Sequence, residues 1–349
     1  MTNSPTTLIS SPSSTSTKSL ARFSFLATAT VIAGFFMLGA MQSAPTDLAS
    51  LKGAIRIDGS STVYPITEAV TEEFSKAAPK VNVTVGISGT GGGFKRFCVG
   101  ETAIADASRP ITPSEVALAA TNKIEFIELP IAYDALSIVV HPKNDWLKQI
   151  TIAQLKQIYT AGGPKTWKEI DPSWPDRAMT IYSPGTDSGT FDYFKEAVIG
   201  KEGKVRADMS VSEDDNVLVL GVSGDVDAIG FFGLAYFEEN KDKLRAVPVV
   251  DAKGSPIAPQ ASTVNDGTYP LSRPLFIYIN SKSAAKPEVA AFVDFYLNQA
   301  DKLVSEVGYV VLPTEILVKA NANWKARRLG TQFVKDDKKV DGSFATIYR

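Results

Sequence analysis

A two-lobed α/β protein is predicted for this chain of 349 residues, on three observations. Apolar stretches with the two-residue period of strands alternate with stretches at helical spacing, which is the pattern of α/β architecture. The length is long for one core and comfortable for two. Four loops rich in Gly and hydroxyl residues also follow strands and precede helices: Asp58-Gly-Ser-Ser-Thr62, Ser88-Gly-Thr-Gly-Gly-Gly93, Asp106-Ala-Ser-Arg-Pro110 and Ser183-Pro-Gly-Thr-Asp-Ser-Gly-Thr190. Such turns gather free backbone N–H groups at the positive end of a helix dipole, where an anion binds.

The elements follow in order. Ala54–Ile57 is a strand, and Val63, Ile66, Val70, Phe74 and Ala77 then mark one face of a helix stopped by Pro79. Val81, Val83, Val85 and Ile87 alternate as a half-buried strand. The glycine loop comes next, with Phe94 and Phe97 opening the following helix. That loop has neither the Lys-Ser/Thr pair of a Walker motif nor Rossmann spacing. Ala103–Ala107 is a short strand, and Thr112-Pro-Ser-Glu115 is a capping box that starts a helix.

Ile124–Leu129 and Ala135–Val140 are two extended segments, the second leading into another lobe. A helix begins after Thr151. Residues 161–176, rich in Gly, Pro and Trp, form a surface loop with Trp167 and Trp174 packed beneath it. Met179–Tyr182 is a strand and Phe191–Ile199 a helix. A further helix spans Ser212–Val222, capped by Ser212 or Glu213. Asp214, Asp215 and Asn216 read as its acidic first turn more simply than as a hard-metal site. Ala228–Phe232, Ala246–Val250 and Leu275–Ile279 are strands, and Pro287 starts a helix. Two elements around Val304 and Ile316 precede a basic, less ordered tail.

Charge and composition narrow the function classes. The formal net charge is −2 with no basic stripe, so nucleic-acid binding is not expected. With one His (His141) and one Cys (Cys98), a soft-metal cluster and most His-dependent catalysis are excluded. Cys98, between Phe97 and Val99, reads as a small buried hydrophobe. No cofactor and a monomeric state are expected. The N-terminus stands apart: Lys18 and Arg22 precede an apolar run over Phe23–Ala40, and residues 1–44 hold no Asp or Glu. That is an export signal or a signal anchor. Cleavage after Ala44 would leave 34 basic against 38 acidic residues, a net −4.

Together Ile57-Asp-Gly-Ser-Ser-Thr-Val-Tyr-Pro65, Ser88–Arg96, Ala105-Asp-Ala-Ser-Arg-Pro110, Gly185-Thr-Asp-Ser-Gly-Thr190 and Tyr269-Pro-Leu-Ser-Arg-Pro274 resemble the loops of periplasmic phosphate-binding proteins, in family order from about residue 54 to 318. The resemblance implies a type II periplasmic-binding-protein fold, two α/β lobes closing on an anion. Lobe 1 would be 54–133 plus 272–349 and lobe 2 134–271, with hinge crossings near Pro130–Ala135 and Tyr269–Pro274. It also implies delivery of inorganic phosphate to the inner-membrane subunits of an ABC importer.

By resemblance, Ser61, Thr62 and Val63, then Thr90 and Gly91, then Ser188, Gly189 and Thr190 across the cleft offer hydroxyls and N–H groups to the anion. The best-known members carry Asp where Arg109 stands here, and Arg near the position of Ser183. A swap of charged roles is inferred: Arg109 pairs with phosphate oxygens, and Asp187 accepts the hydrogen of monoprotonated phosphate, which sulfate lacks. Three alternatives stay open: a receptor for another tetrahedral oxyanion, an anchored phosphate sensor, and a serine hydrolase using Ser188.

Overall fold

The computed structural model describes residues 47–186, 188–200 and 202–348. After a 3-10 turn at Leu48–Ser50 the chain enters β1 (Gly53–Gly59), α1 (Tyr64–Ala77), β2 (Val81–Ile87) and α2 (Gly89–Phe97). The glycine run is thus the first turn of α2 rather than a loop ahead of it. The packing explains why glycine is needed: a Cβ on Gly93 would stand 2.6 Å from Gly59 Cα and 2.8 Å from Asp58 O. Then come β3 (Ile104–Ala107) and α3 (Pro113–Thr121). The helix α3 begins with the expected capping box, in which Thr112 Oγ1 accepts from Glu115 N–H and the Glu115 carboxylate accepts from Thr112 N–H.

The next element is a single strand, β4 (Phe126–Val140), buried along its whole length. The sequence reads here as two segments, Ile124–Leu129 and Ala135–Val140, on either side of Pro130. The ladder accommodates the proline at a register shift between Leu275 and Phe276, where Phe276 faces Pro130 and Leu275 faces Ala132. At such a bulge the missing N–H is not needed. Beyond it lie β5 (Ile150–Thr151), α4 (Ile152–Tyr159) and α5 (Trp167–Ile170). Trp167 is buried between Trp146 and Trp174, in keeping with the expected packing role.

The chain continues through β6 (Thr180–Pro184), α6 (Gly189–Phe194) with a π-helical turn at Lys195–Ile199, β7 (Ser210–Ser212), α7 (Asp215–Gly224), β8 (Ala228–Gly233) and α8 (Leu234–Glu239). The cap of α7 is Asp214, whose carboxylate accepts from Asn216 N–H; Ser212 belongs to the strand before it. The strand expected over 246–250 is two short pieces, β9 (Arg245–Ala246) on β4 and β10 (Val249–Val250) on β5. Pro248 between them has no N–H to continue a ladder.

After β11 (Pro256–Ile257) and α9 (Ala261–Asn265) the chain returns in β12 (Ser272–Asn280), α10 (Ser281–Ala284), α11 (Pro287–Glu306) and α12 (Thr314–Lys325). Val304 lies inside α11 and marks no separate element. Nor is the tail a loose end. It forms a hairpin, β13 (Val334–Lys335) with β14 (Lys338–Lys339), and a short helix, α13 (Phe344–Ile347). Phe344 stacks between Phe333 and Tyr348, and all three rings are buried. The basic composition of the segment hid these apolar anchors.

The main sheet runs β2-β1-β3-β12-β4-β8-β6-β7. Strand β4 is its spine: Phe126–Ala135 pairs with β12, and Leu136–Val140 pairs with β8. Helices α1 and α11 cover one face of the β1–β3 half, where Phe74 meets Phe292 edge-on at 5.2 Å. In the β8–β6 half Phe194 stacks on Phe231 at 3.8 Å with Tyr159 against both rings. Gly93→Ala is expected to destabilise the fold by about 1–3 kcal/mol through overpacking between α2 and β1. A denaturant melt would read this as a lowered midpoint, and an unchanged midpoint would show that the packing yields.

Candidate functional site

The β1, β2 and β3 loops end side by side because their strands are parallel neighbours. Asp58, buried at the end of β1, ties two of them together by accepting from Ser88 Oγ (2.7 Å) and pairing with Arg96 of α2. Thr90 joins the third, its hydroxyl 3.0 Å from Ser108 Oγ and accepting from Ser108 N–H at 3.1 Å. Among the described residues these loops line a cleft of about 290 Å³ with Ser60, Ser61, Thr62, Gly89, Thr90, Gly91, Ser108 and Arg109. The far wall is Asp192, Lys195 and Glu196, and Arg273 completes the lining.

Arg273 reaches the cleft from the start of β12. It donates to Thr62 Oγ1 at 2.8 Å and to Asp134 at 3.2 Å, lies 3.5 Å from Glu196, and rests on the Tyr193 ring with its Cζ 3.8 Å from the centroid. Asp134 is the residue directly opposite it on β4. Burial lifts the Asp134 carboxyl above its ordinary value, with Arg273 pulling the other way. Arg109 instead grips Glu115 in a two-point pair (2.8 and 2.9 Å) while keeping its place in the lining.

The segment after β6 crosses to meet the first loop. Ser61 Oγ donates to Asp192 at 2.8 Å, and Thr62 Oγ1 to the Gly189 carbonyl at 3.4 Å. A Cβ on Gly189 would stand 2.8 Å from Thr62 Cα, so the approach is backbone to backbone. Ser188 caps α6, its Oγ accepting from the N–H groups of Thr190 and Phe191. Ser188, Gly189 and Thr190 line an adjoining cavity of about 600 Å³ that shares Ser61 and Asp192 with the first.

Of the residues singled out in the sequence, Ser61, Thr62, Thr90, Gly91 and Arg109 thus share one cleft, and Ser188–Thr190 its neighbour. Val63 is the residue just before α1, with its side chain in the core. Asp187 lies outside the described residues. Sequence reasoning missed Ser108, Asp192, Lys195, Glu196 and Arg273 as lining groups. Arg273 had a signal, since the Ser-Arg-Pro motif that opens the returning strand is part of the family pattern.

A family model described as a PBP superfamily domain matches residues 42–300. Protein SphX of Synechococcus elongatus is 49% identical over 286 residues, 81% of this chain and 84% of that protein. This chain belongs to the PstS and SphX family of phosphate-binding proteins. The phosphate-binding protein PstS of Staphylococcus haemolyticus is 40% identical over 264 residues, 75% of this chain and 82% of that one. Among solved structures, a possible phosphate binding protein from Planctomyces limnophilus superposes with a TM-score of 0.78 at 41% identity, covering 80% of this chain and all of that one. An ABC-type phosphate transport receptor from Vibrio cholerae has a TM-score of 0.57 at 25% identity, covering 74% and all. The family fold is two-lobed, and its members are receptors rather than a class of enzymes.

One buried group sits directly behind the first loop. Asp106, 1% exposed, is buried with its carboxyl facing the Thr67 hydroxyl, while its backbone carbonyl accepts from Ser60 N–H. Burial pushes this carboxyl up to about 7, against the pull of the Thr67 hydroxyl and with Asp58 adding to the rise. A carboxyl whose folded value lies above its unfolded value stabilises the fold below the unfolded value, and that stability is lost as pH rises through the folded one. Asp106→Asn should therefore gain in stability relative to the parent chain between about pH 4 and 8. Denaturant midpoints at both ends of that range test this, and a parallel pair of pH curves would count against it.

Proposed function

We propose that this chain captures inorganic phosphate in the cleft between its lobes and hands it to the membrane subunits of an ABC importer. One observation carries the reading: three loops of neutral donors and Arg273 converge on a single small polar cleft. Hydroxyls, N–H groups at helix starts and a planar guanidinium replace the water around a tetrahedral oxyanion. Membership of the PstS and SphX family supports phosphate as that anion.

In this reading Ser61, Thr62, Thr90, Gly91 and Arg273 hold the anion from lobe 1, and Ser188, Gly189 and Thr190 close on it from lobe 2. Arg109 stays beside it on the Glu115 pair and contributes its remaining donors. The lobes are 54–133 plus 272–349 and 134–271, supported by the change of β4 partner between Ala135 and Leu136. Selectivity rests on a carboxylate in the cleft. Asp192 is so placed, with Ser61 as its donor, and Asp187 is the second candidate. A monoprotonated phosphate can donate to such an oxygen, whereas sulfate would set charge against charge.

Chemistry on the anion is not part of the reading. Ser188 Oγ serves as a helix cap, and the lone His141 accepts Lys143 N–H at Nδ1 in a turn after β4. We assign the protein to the exported side of the membrane, with residues 1–44 as signal. Among the described residues no helix is long and apolar enough to cross a membrane.

Isothermal titration with phosphate and sulfate tests the proposal on the parent chain and on Arg273→Ala, Asp192→Asn and Asp187→Asn. The parent should prefer phosphate, and Arg273→Ala should weaken phosphate binding on the order of 10- to 100-fold, the value of the charged hydrogen bonds removed. Asp192→Asn should narrow the phosphate-to-sulfate ratio by about tenfold or more. Equal affinity of the parent for both anions would overturn the carboxylate argument, and the absence of phosphate binding would overturn the function.

A further inference from the structure

Glu128 is a second buried carboxyl with no place in the cleft. It lies on β4, 4% exposed, and directly opposite Tyr278 of β12. Its Oε2 accepts from Tyr278 Oη (2.8 Å) and from Thr331 Oγ1 (2.6 Å), and its Oε1 accepts from Gln332 N–H (3.3 Å). Two of these donors come from the segment after α12, which also bonds β4 through its backbone, Gly330 N–H donating to the Phe126 carbonyl at 2.8 Å.

Tyr278 passes this anchorage on to the cleft. Its hydroxyl, donating to Glu128, accepts from Ile111 N–H at 3.0 Å, two residues beyond Arg109. Its ring packs edge-on against Phe94 of α2 at 4.9 Å, and the Arg109 guanidinium lies over that same Phe94 ring at 5.5 Å. The Arg109–Ile111 loop is thus fixed from behind by one tyrosine, and that tyrosine by one carboxyl that also holds the C-terminal segment.

We propose that Glu128 is a positioning residue for anion capture, clamping the C-terminal segment Thr331–Gln332 and Tyr278 into the frame that holds the Arg109 loop at the cleft. The inference rests on the phosphate-binding reading of that cleft. It makes the C-terminal segment a structural part of the binding site, although no residue of that segment lines it. The clamp is sensitive to protonation. As a carboxylate Glu128 accepts all three bonds. Once protonated it must use one oxygen as a donor. With Oε2 already taken twice, Oε1 carries the proton and no longer accepts from Gln332 N–H.

Burial pushes the Glu128 carboxyl up to about 7 against the opposing pull of Thr331, Tyr278 and Gln332, so this change falls near neutrality. The other titratable or charged groups that face it are Arg328 in the segment after α12, which favours the carboxylate, and the buried Tyr348 and Tyr278, both held neutral by burial.

Phosphate titration of the full chain from pH 5.5 to 8.5 tests the proposal, comparing the parent with Glu128→Gln, Tyr278→Phe and Thr331→Val. Glutamine stands in for the protonated acid. The ratio of its Kd to that of the parent should be near one at the acid end and rise about threefold to tenfold at the alkaline end, the value of one hydrogen bond. Ionisation of phosphate itself is common to both proteins and cancels in that ratio. Tyr278→Phe keeps the ring packing and removes the bridge from Ile111 N–H to Glu128, so its phosphate Kd should rise by a similar factor. Thr331→Val should weaken binding in the same direction.

A pH-independent Glu128→Gln ratio, or a Tyr278→Phe variant that binds like the parent, would overturn the proposal and leave the function standing. A parent chain that binds no phosphate would overturn both. If Glu128→Gln fails to fold, Tyr278→Phe and Thr331→Val decide the matter alone.

Discussion

The facing pair Arg273 and Asp134, on adjacent strands at the point where β4 changes partner, is the interaction on which the rest depends. Asp134 is buried and its charge is costly there; removing its partner would leave an uncompensated charge, a loss of about 3–5 kcal/mol in comparable buried pairs. The pair therefore pins the register of β4 against β12. That register in turn sets where Leu136 leaves β12 for β8, and hence where the second half of the sheet begins. Because the same guanidinium donates to Thr62, sheet register and cleft geometry are one constraint.

Around that pair the loops hold one another rather than standing free. Asp58 joins the first to the second, Thr90 the second to the third, and Tyr278 the third to the body of the sheet. Donors that must replace the hydration of an anion gain most when little reorganisation is left to do on binding. The glycines serve the same end: at Gly93 and Gly189 a missing side chain lets backbone approach backbone, which no arrangement of longer residues would allow.

Local chemistry was legible in the sequence, and long-range pairing was not. The Thr112–Glu115 box, the α1 stripe and the alternation of β2 each depend on neighbours within a few residues; the box and the stripe formed as read, and the β2 alternation holds from Val81 to Val85 while Ile87 at its end is exposed. Ile124–Leu129 and Ala135–Val140 join into one strand because β4 takes up Pro130 at a bulge of its own, and that bulge is set by pairing with β12, far away in the chain. Arg273 was visible as part of a motif but not as a wall of the cleft, since its position comes from β12 pairing with β4. The tail was misjudged because net basic composition says nothing of where Phe333, Phe344 and Tyr348 will stack.

The cleft's charges also carry a consequence for the medium in which it works. Each arginine is already held by a carboxylate, Arg109 by Glu115 and Arg273 by Asp134, and Lys195 shares its wall with Asp192 and Glu196. Little long-range attraction is left to draw an anion inward. In the proposed reading recognition rests on short contacts with aligned dipoles, which ions in solution scarcely screen. A receptor built this way would keep its grip from fresh water to brine.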